Sequence, residues 1–398
     1  MRDVLSPPPR GGDRSAGSIR NKMSEVSETL PHVLWICDRS SEAGGVACSL
    51  VDLFPFLRET GCAIEFAAPI NASFPGIESI GARVWKVLPA YPDSTGYIWS
   101  LKSFLPLLRL ARKIRPTVVV ADHTNGLWLI MILRFLRFPA KIVYRNHGVE
   151  FLLQRPWLAR LVSRFTDVIV TDSRPEADSL AEVTLRKIET VSNCIPDYCL
   201  RAKPLPVGDV QPSGPVIAHV GWLTPAKGIN DFARLVRQIR ASVPGLRGIA
   251  MGGVHGNDSI LQQLSDAGIE CKGAVRRDRI FEGIDFLAVC SRRESFGLTL
   301  LEAPFYDVLP VAFESPGTRF ILGEGSPLLV PLGQVDRMEA TILRFWEAPR
   351  EKALLCAQLR ETFLQRFDPR IISQQLASLL GDDESSAESA PTSGRYQN

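Results

Sequence analysis

The order of apolar runs and glycine-bearing turns predicts an α/β protein built as two Rossmann-like lobes with parallel sheets facing across a cleft. Three observations carry that expectation. Short apolar runs alternate with helix-period segments through most of the chain. Residues 197–214 (DYCLRAKPLPVGDVQPSG) break the alternation with Pro, Gly and no periodicity, which marks a linker between two series of similar size. In the second series, the apolar run 286–289 leads through a polar turn into the helix-compatible stretch 294–303. A strand, a turn and a helix start is where open α/β sheets bind ligands.

Composition sets the outer limits. A chain of 398 residues, 45% hydrophobic and 22% charged, has the size of two globular domains. A net charge of +3 is too small to argue for nucleic acid, and none is expected as a partner. The eight cysteines are scattered, mostly in apolar stretches, with no C-x-x-C pair, the pattern of reduced core thiols in a cytoplasmic protein. No apolar run approaches the length of a membrane span. Residues 1–30 are rich in Pro, Gly, Ser and Arg without an apolar h-region and read as a disordered tail, as do 381–398.

In chain order, 32–37 (HVLWIC) is a strand and 46–57 a helix, with Gly44 and Gly45 at the helix mouth. Paired glycines let a ligand approach the backbone, although a plain tight turn has the same sequence. Pro55 is expected to kink or end that helix. Strands follow at 64–68, 83–88 and 117–121. The helices at 101–114 and 127–138 carry leucines on one face and Lys102, Arg109, Arg112, Lys113, Arg134 and Arg137 elsewhere. They read either as core helices with solvated arginines or as a surface for an anionic membrane. Strand 141–144 ends near His147, which either bonds a substrate hydroxyl in the crevice or is structural. Strands 167–171 and 188–191 complete the first half. The second half has strands at 216–220, 248–251, 286–289 and 309–312, with a helix at 229–239.

The turn at 291–297 is the most informative stretch. Ser295 is the expected helix cap, and the amides of Phe296, Gly297 and Leu298 make a seat for phosphate at the positive end of the helix. Glu294 and Glu302 bracket that seat, separated by roughly 12 Å at helical rise. One could take sugar hydroxyls and the other ribose hydroxyls. Two solvated glutamates on a surface helix would look the same.

Taken as an ordered set, GGV (44–46), HG (147–148), SNCIP (192–196), VGWLTPAKG (220–228), ESFGLTLLEA (294–303) and LPVAF (309–313) resemble the retaining GT-B glycosyltransferases of the "glycosyl transferases group 1" family. The resemblance covers residues 32–375. It implies the GT-B architecture, with an acceptor lobe at 31–196, a linker at 197–214, a nucleotide-sugar lobe at 215–362 and a C-terminal helix at 363–380 crossing back to the first lobe. It also implies that Glu294 binds hydroxyls of the transferred sugar, that Glu302 holds the ribose and that His147 contacts the donor sugar. Lys227 and the amides at Phe296–Leu298 and Gly44–Gly45 would neutralise the diphosphate.

The partners implied are a nucleotide-diphosphate-sugar donor, as co-substrate rather than cofactor, and a glycan or lipid-linked acceptor. The leaving phosphate would assist the incoming hydroxyl on the same face, so no protein nucleophile is assigned. The sequence has no D-x-D triplet, and helix amides with Lys227 are expected to replace a metal. A cytoplasmic location, peripheral on the inner face of the membrane, fits these expectations, with a role in surface polysaccharide or glycolipid assembly.

The chain also departs from the family pattern. Trp222 stands where an arginine is expected at the diphosphate, and Arg276, Arg277 and Arg319 are the candidate replacements, with Arg319 favoured. Pro304 falls early in the helix and Val308 replaces a glycine. A non-catalytic nucleotide-sugar or glycan binder and a nucleotide-sugar epimerase are the competing functions. Trp222 speaks for the binder, whereas the retained Glu294, Glu302 and Lys227 speak for transfer.

Overall fold

The computed structural model describes residues 30–39, 44–90, 96–148, 150–202, 214–254 and 258–381. The expected tails at 1–29 and 382–398, and the linker stretch 203–213, lie outside the described residues.

Two wholly parallel sheets form. The first holds β1 (His32–Ile36), β2 (Ala63–Pro69), β3 (Arg83–Leu88), β4 (Val118–Asp122), β5 (Lys141–Asn146), β6 (Val168–Thr171) and β7 (Ile188–Thr190). Its strand order is β3-β2-β1-β4-β5-β6-β7. The second holds β8 (Val216–Val220), β9 (Arg247–Met251), β10 (Ile269–Gly273), β11 (Phe286–Val289), β12 (Leu309–Phe313) and β13 (Leu329–Val330) in the order β10-β9-β8-β11-β12-β13. The strands at 269–273 and 329–330 went unread in the sequence. One is largely exposed and the other is two residues long, so neither shows an apolar run.

Both faces of the first sheet are buried, which is why its strands read as continuous apolar runs. Val33 and Trp35 pack with Leu50, Leu53 and Phe54 on one face, while Leu34 and Ile36 pack with Leu107, Ala111 and Ile130 on the other. The helix Gly45–Glu59 continues past Pro55, so the proline does not end it. Pro55 removes one backbone donor, but Leu50, Leu53, Phe54 and Leu57 on the same helix are essentially fully buried. Burying each such side chain is worth about 1.5–3 kcal/mol, together more than the ~3 kcal/mol a helical proline costs.

The linker and C-terminal boundaries also differ from expectation. Asp197–Leu200 is a helical turn, and Cys199 is buried in the core of the second lobe. The helix Pro349–Phe367 keeps Phe363 and Phe367 in that same core. Pro369 then starts a separate helix, Pro369–Leu380, capped by Asp368, whose carboxylate accepts from the Arg370 amide at 2.7 Å. Only this last helix lies on the first lobe, where Ile372, Leu376 and Leu380 join Val33, Trp35 and Leu50. Among the described residues, no helix is long and apolar enough to cross a membrane.

Candidate active site

Strand order reverses between β1 and β4 in the first sheet and between β8 and β11 in the second. Crevices form outside the carboxyl ends of strands at such switch points. The loops that follow β1, β8 and β11 are the glycine and Lys/Glu segments of the sequence, and they meet around one cavity of about 560 Å³. That volume falls in the range of ligand pockets. Gly44, Gly45, His147, Asp172 and Asn193 line it from the first lobe, and Trp222, Lys227, Arg277, Glu294, Phe296, Gly297 and Leu298 from the second.

Glycine geometry builds the second-lobe wall. Gly228 has φ of 72°, and a Cβ there would lie 1.8 Å from the Cys290 carbonyl oxygen. Only glycine lets the Lys227 turn press against the end of β11. Lys227 Nζ then donates to Glu294 Oε1 at 2.7 Å, and Ser291 Oγ donates to the same oxygen at 2.7 Å. Gly317 fits under the loop, its amide donating to the Glu294 carbonyl at 3.1 Å.

The cap of the following helix is Gly297, with φ of 98°, and not Ser295. Ser295 is instead drawn into a contact between lobes, its carbonyl accepting from Ser173 Oγ at 3.0 Å. The α-helix itself is only Leu298–Glu302, because Pro304 converts the next turn to 3-10 geometry. Glu294 lies outside it, so the two glutamates do not share a helix. So short a helix has little dipole, and what it offers an anion is its first N–H groups. Opposite stands the start of the longer helix Gly45–Glu59, close enough that a Cβ on Gly45 would lie 3.6 Å from Leu298 Cδ1. Two helix starts thus face the same space.

Three adjacent strand ends assemble the first-lobe wall. Asp122 ends β4, His147 follows β5 and Asp172 follows β6. His147 Nδ1 lies 2.7 Å from Asp172 Oδ2 and Nε2 lies 2.9 Å from Asp122 Oδ1. Burial alone would lower the histidine pKa, and Arg145 acts the same way. The carboxylates of Asp172 and Asp122 outweigh both and hold it up at about 9. Burial opposes ionisation of Asp172, yet His147 and Arg145 pull its carboxyl below the ordinary range. Trp35 Nε1 donates to the other oxygen of Asp122. His147 is therefore an imidazolium with both ring nitrogens engaged by carboxylates.

Glu302 is buried and does not line the cavity; Arg277 stands in front of it, with Nη2 at 2.7 Å from Glu302 Oε1. Arg319 is placed elsewhere. It lies on the helix Pro316–Leu322, half exposed and bonded to Glu314 at 2.9 Å, while Gly317 and Thr318 take the inward positions. Arg276 is likewise exposed and pairs with Asp278 at 2.6 Å. Of these three arginines, Arg277 alone lines the cavity. The Trp222 indole is 40% exposed and packs close enough to Gly253 that a Cβ there would stand 2.5 Å from it.

Asp52, Asp122 and Asp172 went unread in the sequence. Asp122 and Asp172 had a usable signal, since both sit at carboxyl ends of central strands. Asp52 had none, because its role depends on a partner 225 residues away.

Two parallel-sheet lobes with a switch-point cleft between them define a GT-B-type protein. The first lobe, residues 43–197, matches the model of Glycosyltransferase Family 4, and residues 214–348 match Glycosyl transferases group 1. Two glycosyltransferase models thus account for residues 43–197 and 214–348 one after the other, and the group 1 glycosyltransferase match belongs to the second lobe. D-inositol 3-phosphate glycosyltransferase of Mycobacterium ulcerans is 32% identical over 146 residues, covering 33% of this chain and 31% of that protein. The chain thus spans about a third of the curated relatives it matches. HepE of Anabaena, solved with UDP and glucose, superposes with a TM-score of 0.72 at 19% identity, over 88% of this chain and 99% of that one. Sucrose-phosphate synthase of Thermosynechococcus elongatus gives 0.74 at 17% identity, over 88% and 98%.

Proposed function

We propose that this chain is a glycosyltransferase that moves a sugar from a nucleotide-diphosphate-sugar to a glycan or lipid-linked acceptor with retention of configuration. The observation that carries this reading is the Lys227–Glu294 pair, 2.7 Å apart, set between two facing helix starts. A diphosphate entering there draws Lys227 towards its own charge and takes N–H bonds from Gly44–Gly45 and Gly297–Leu298. Glu294 is released to the hydroxyls of the sugar, where its charge favours a developing oxocarbenium ion. The protonated His147, fixed between two carboxylates, cannot serve as a base. Deprotonation of the acceptor falls to the leaving phosphate, on the same face.

The HepE structures with UDP and with UDP-glucose support a uridine diphosphate donor. The inositol phosphate transferase supports a polar, hydroxyl-rich acceptor. Amides and Lys227 supply the charge a metal would, so the reaction runs without a divalent ion; activity that vanishes in EDTA and returns with magnesium or manganese would refute this. A cytoplasmic enzyme working at an anionic membrane surface fits the exposed Leu105, Phe135 and Leu136 together with the exposed Arg109, Arg112 and Lys113. Arg134 does not contribute, being bonded to Asp167.

A second reading, a non-catalytic binder, is favoured by Trp222 in the expected arginine position. A panel of nucleotide-sugars, scored by thermal shift and by release of free nucleoside diphosphate, separates the two. Release with one donor and an acceptor is the expected result. Thermal shift without release would support the binder, and neither response to any donor would overturn both.

A further inference from the structure

We propose that Arg277 is a positioning residue that ties the lobes together at the ribose seat, one guanidinium holding Asp52 of the first lobe and Glu302 of the second. The role of Glu302 in this rests on the donor reading above; the tie between lobes does not.

Arg277 opens a 3-10 turn, Arg277–Arg279, beyond β10. Its Nη1 and Nη2 donate to Oδ1 and Oδ2 of Asp52, each at 2.9 Å, a two-pronged geometry that fixes orientation as well as distance. Nη2 also donates to Glu302 Oε1 at 2.7 Å. The Tyr198 ring covers the guanidinium at 5.3 Å, and its buried hydroxyl has no hydrogen-bond partner. Three separate segments therefore meet on one side chain: the helix Gly45–Glu59, the turn Asp197–Leu200 and the helix Leu298–Glu302. The first of these also brings Gly44 and Gly45 to the cavity. Moving Asp52 moves both the amides at the helix start and, through Arg277, the carboxylate of Glu302.

The charges around Asp52 are unequal. Two carboxylates share one guanidinium, and burial pushes the Asp52 carboxyl up to about 6 although Arg277 pulls the other way. The other titratable groups near it are Tyr198, Cys194 and Cys199, all raised by burial and neutral. Asp52→Asn removes one prong of the fork and leaves Arg277 and Glu302 as a balanced pair. It strands no buried charge, whereas Arg277→Ala would leave two facing carboxylates.

The test uses the full chain, with UDP as probe, by calorimetric titration and small-angle scattering. Asp52→Asn is expected to raise the UDP Kd about tenfold, within the range of couplings between sites, and to enlarge the radius of gyration without ligand. Acidifying the wild type from pH 7.5 to 5 should produce the same two changes, and the variant should lack them. Combining Asp52→Asn with Glu302→Gln should cost no more UDP affinity than Glu302→Gln alone, because both act through one seat. Wild-type radius and wild-type UDP affinity in Asp52→Asn would overturn the proposal and leave the donor reading intact. A wild type that binds no UDP, with a variant that still expands, would remove the donor reading and keep the tie between lobes.

Discussion

Glu294 and Glu302 are eight residues apart and have different surroundings, which separates their expected phenotypes. Glu302→Ala leaves Arg277 and Asp52 paired, so the fold should survive, while nucleoside diphosphate binding weakens by about 1.5–3 kcal/mol because Arg277, which lines the cavity, loses the charge-assisted bond that helps place it. Glu294→Ala should lower kcat more than it raises the donor KM, because its partner in the proposed complex is the sugar. Steady-state kinetics on both variants checks the split, and unchanged kinetics in both would return the pair to a structural role. Trp222→Arg adds a cation beside Lys227 and should tighten nucleoside diphosphate binding about tenfold, equivalent to ~1.4 kcal/mol. Arg319→Ala should leave that binding unchanged, since Arg319 faces solvent and Glu314. Calorimetry on the two variants decides both points.

At the scale of elements, the site depends on turns that only glycine can make. Gly228 carries φ of 72° and sits against the Cys290 carbonyl, so Gly228→Ala adds both left-handed strain and a backbone clash. The expected loss is about 2–4 kcal/mol of stability, at the severe end for a single methyl, read as a lowered urea midpoint. Gly221→Ala is the useful contrast. Its φ of 140° brings backbone strain too, but a Cβ there meets nothing within 4 Å, so its cost should be smaller. Equal midpoints for the two variants would mean that contact with β11 does not set the position of Lys227.

For the whole molecule, charge and pH give the tests. The folded-state pKa of His147 is raised to about 9 from an unfolded value near 6.5. Its contribution is fully present below the unfolded value and is lost as pH rises through about 9. The rise from 6.5 to about 9 corresponds to roughly 3–4 kcal/mol at most. Chemical denaturation of wild type and His147→Gln between pH 6 and 10 should show wild-type stability falling across that window and the variant's flatter. Parallel curves would mean that the carboxylates do not hold the proton. The membrane reading has its own measurement: reversing the charges of Arg109, Arg112 and Lys113 should release the protein from anionic vesicles at low salt. Wild type that fails to sediment with such vesicles would end that reading.

The sequence alone determined the lobes and the loops that bear the site, because both follow from local pattern. Apolar runs such as 33–36 and 286–289 specify strands buried on both faces, and a glycine or a Lys-Gly after such a run specifies the turn. Lys227, Glu294, Gly44 and Gly45 were legible for that reason. Local signals were outweighed where tertiary burial was large, as at Pro55, or where a competing partner lay far along the chain, as at Ser295, whose carbonyl is engaged by Ser173. Only the tertiary structure decided which charges meet. Asp122, His147 and Asp172 become neighbours because β4, β5 and β6 lie side by side, and Asp52 meets Arg277 because the lobes close on each other. Arg319 looked like the better candidate in sequence, yet helix geometry turned it to solvent and left Arg277 in the cleft. Ion pairing in a low-dielectric cleft depends on ångströms of separation, and sequence spacing carries no information on that scale across lobes.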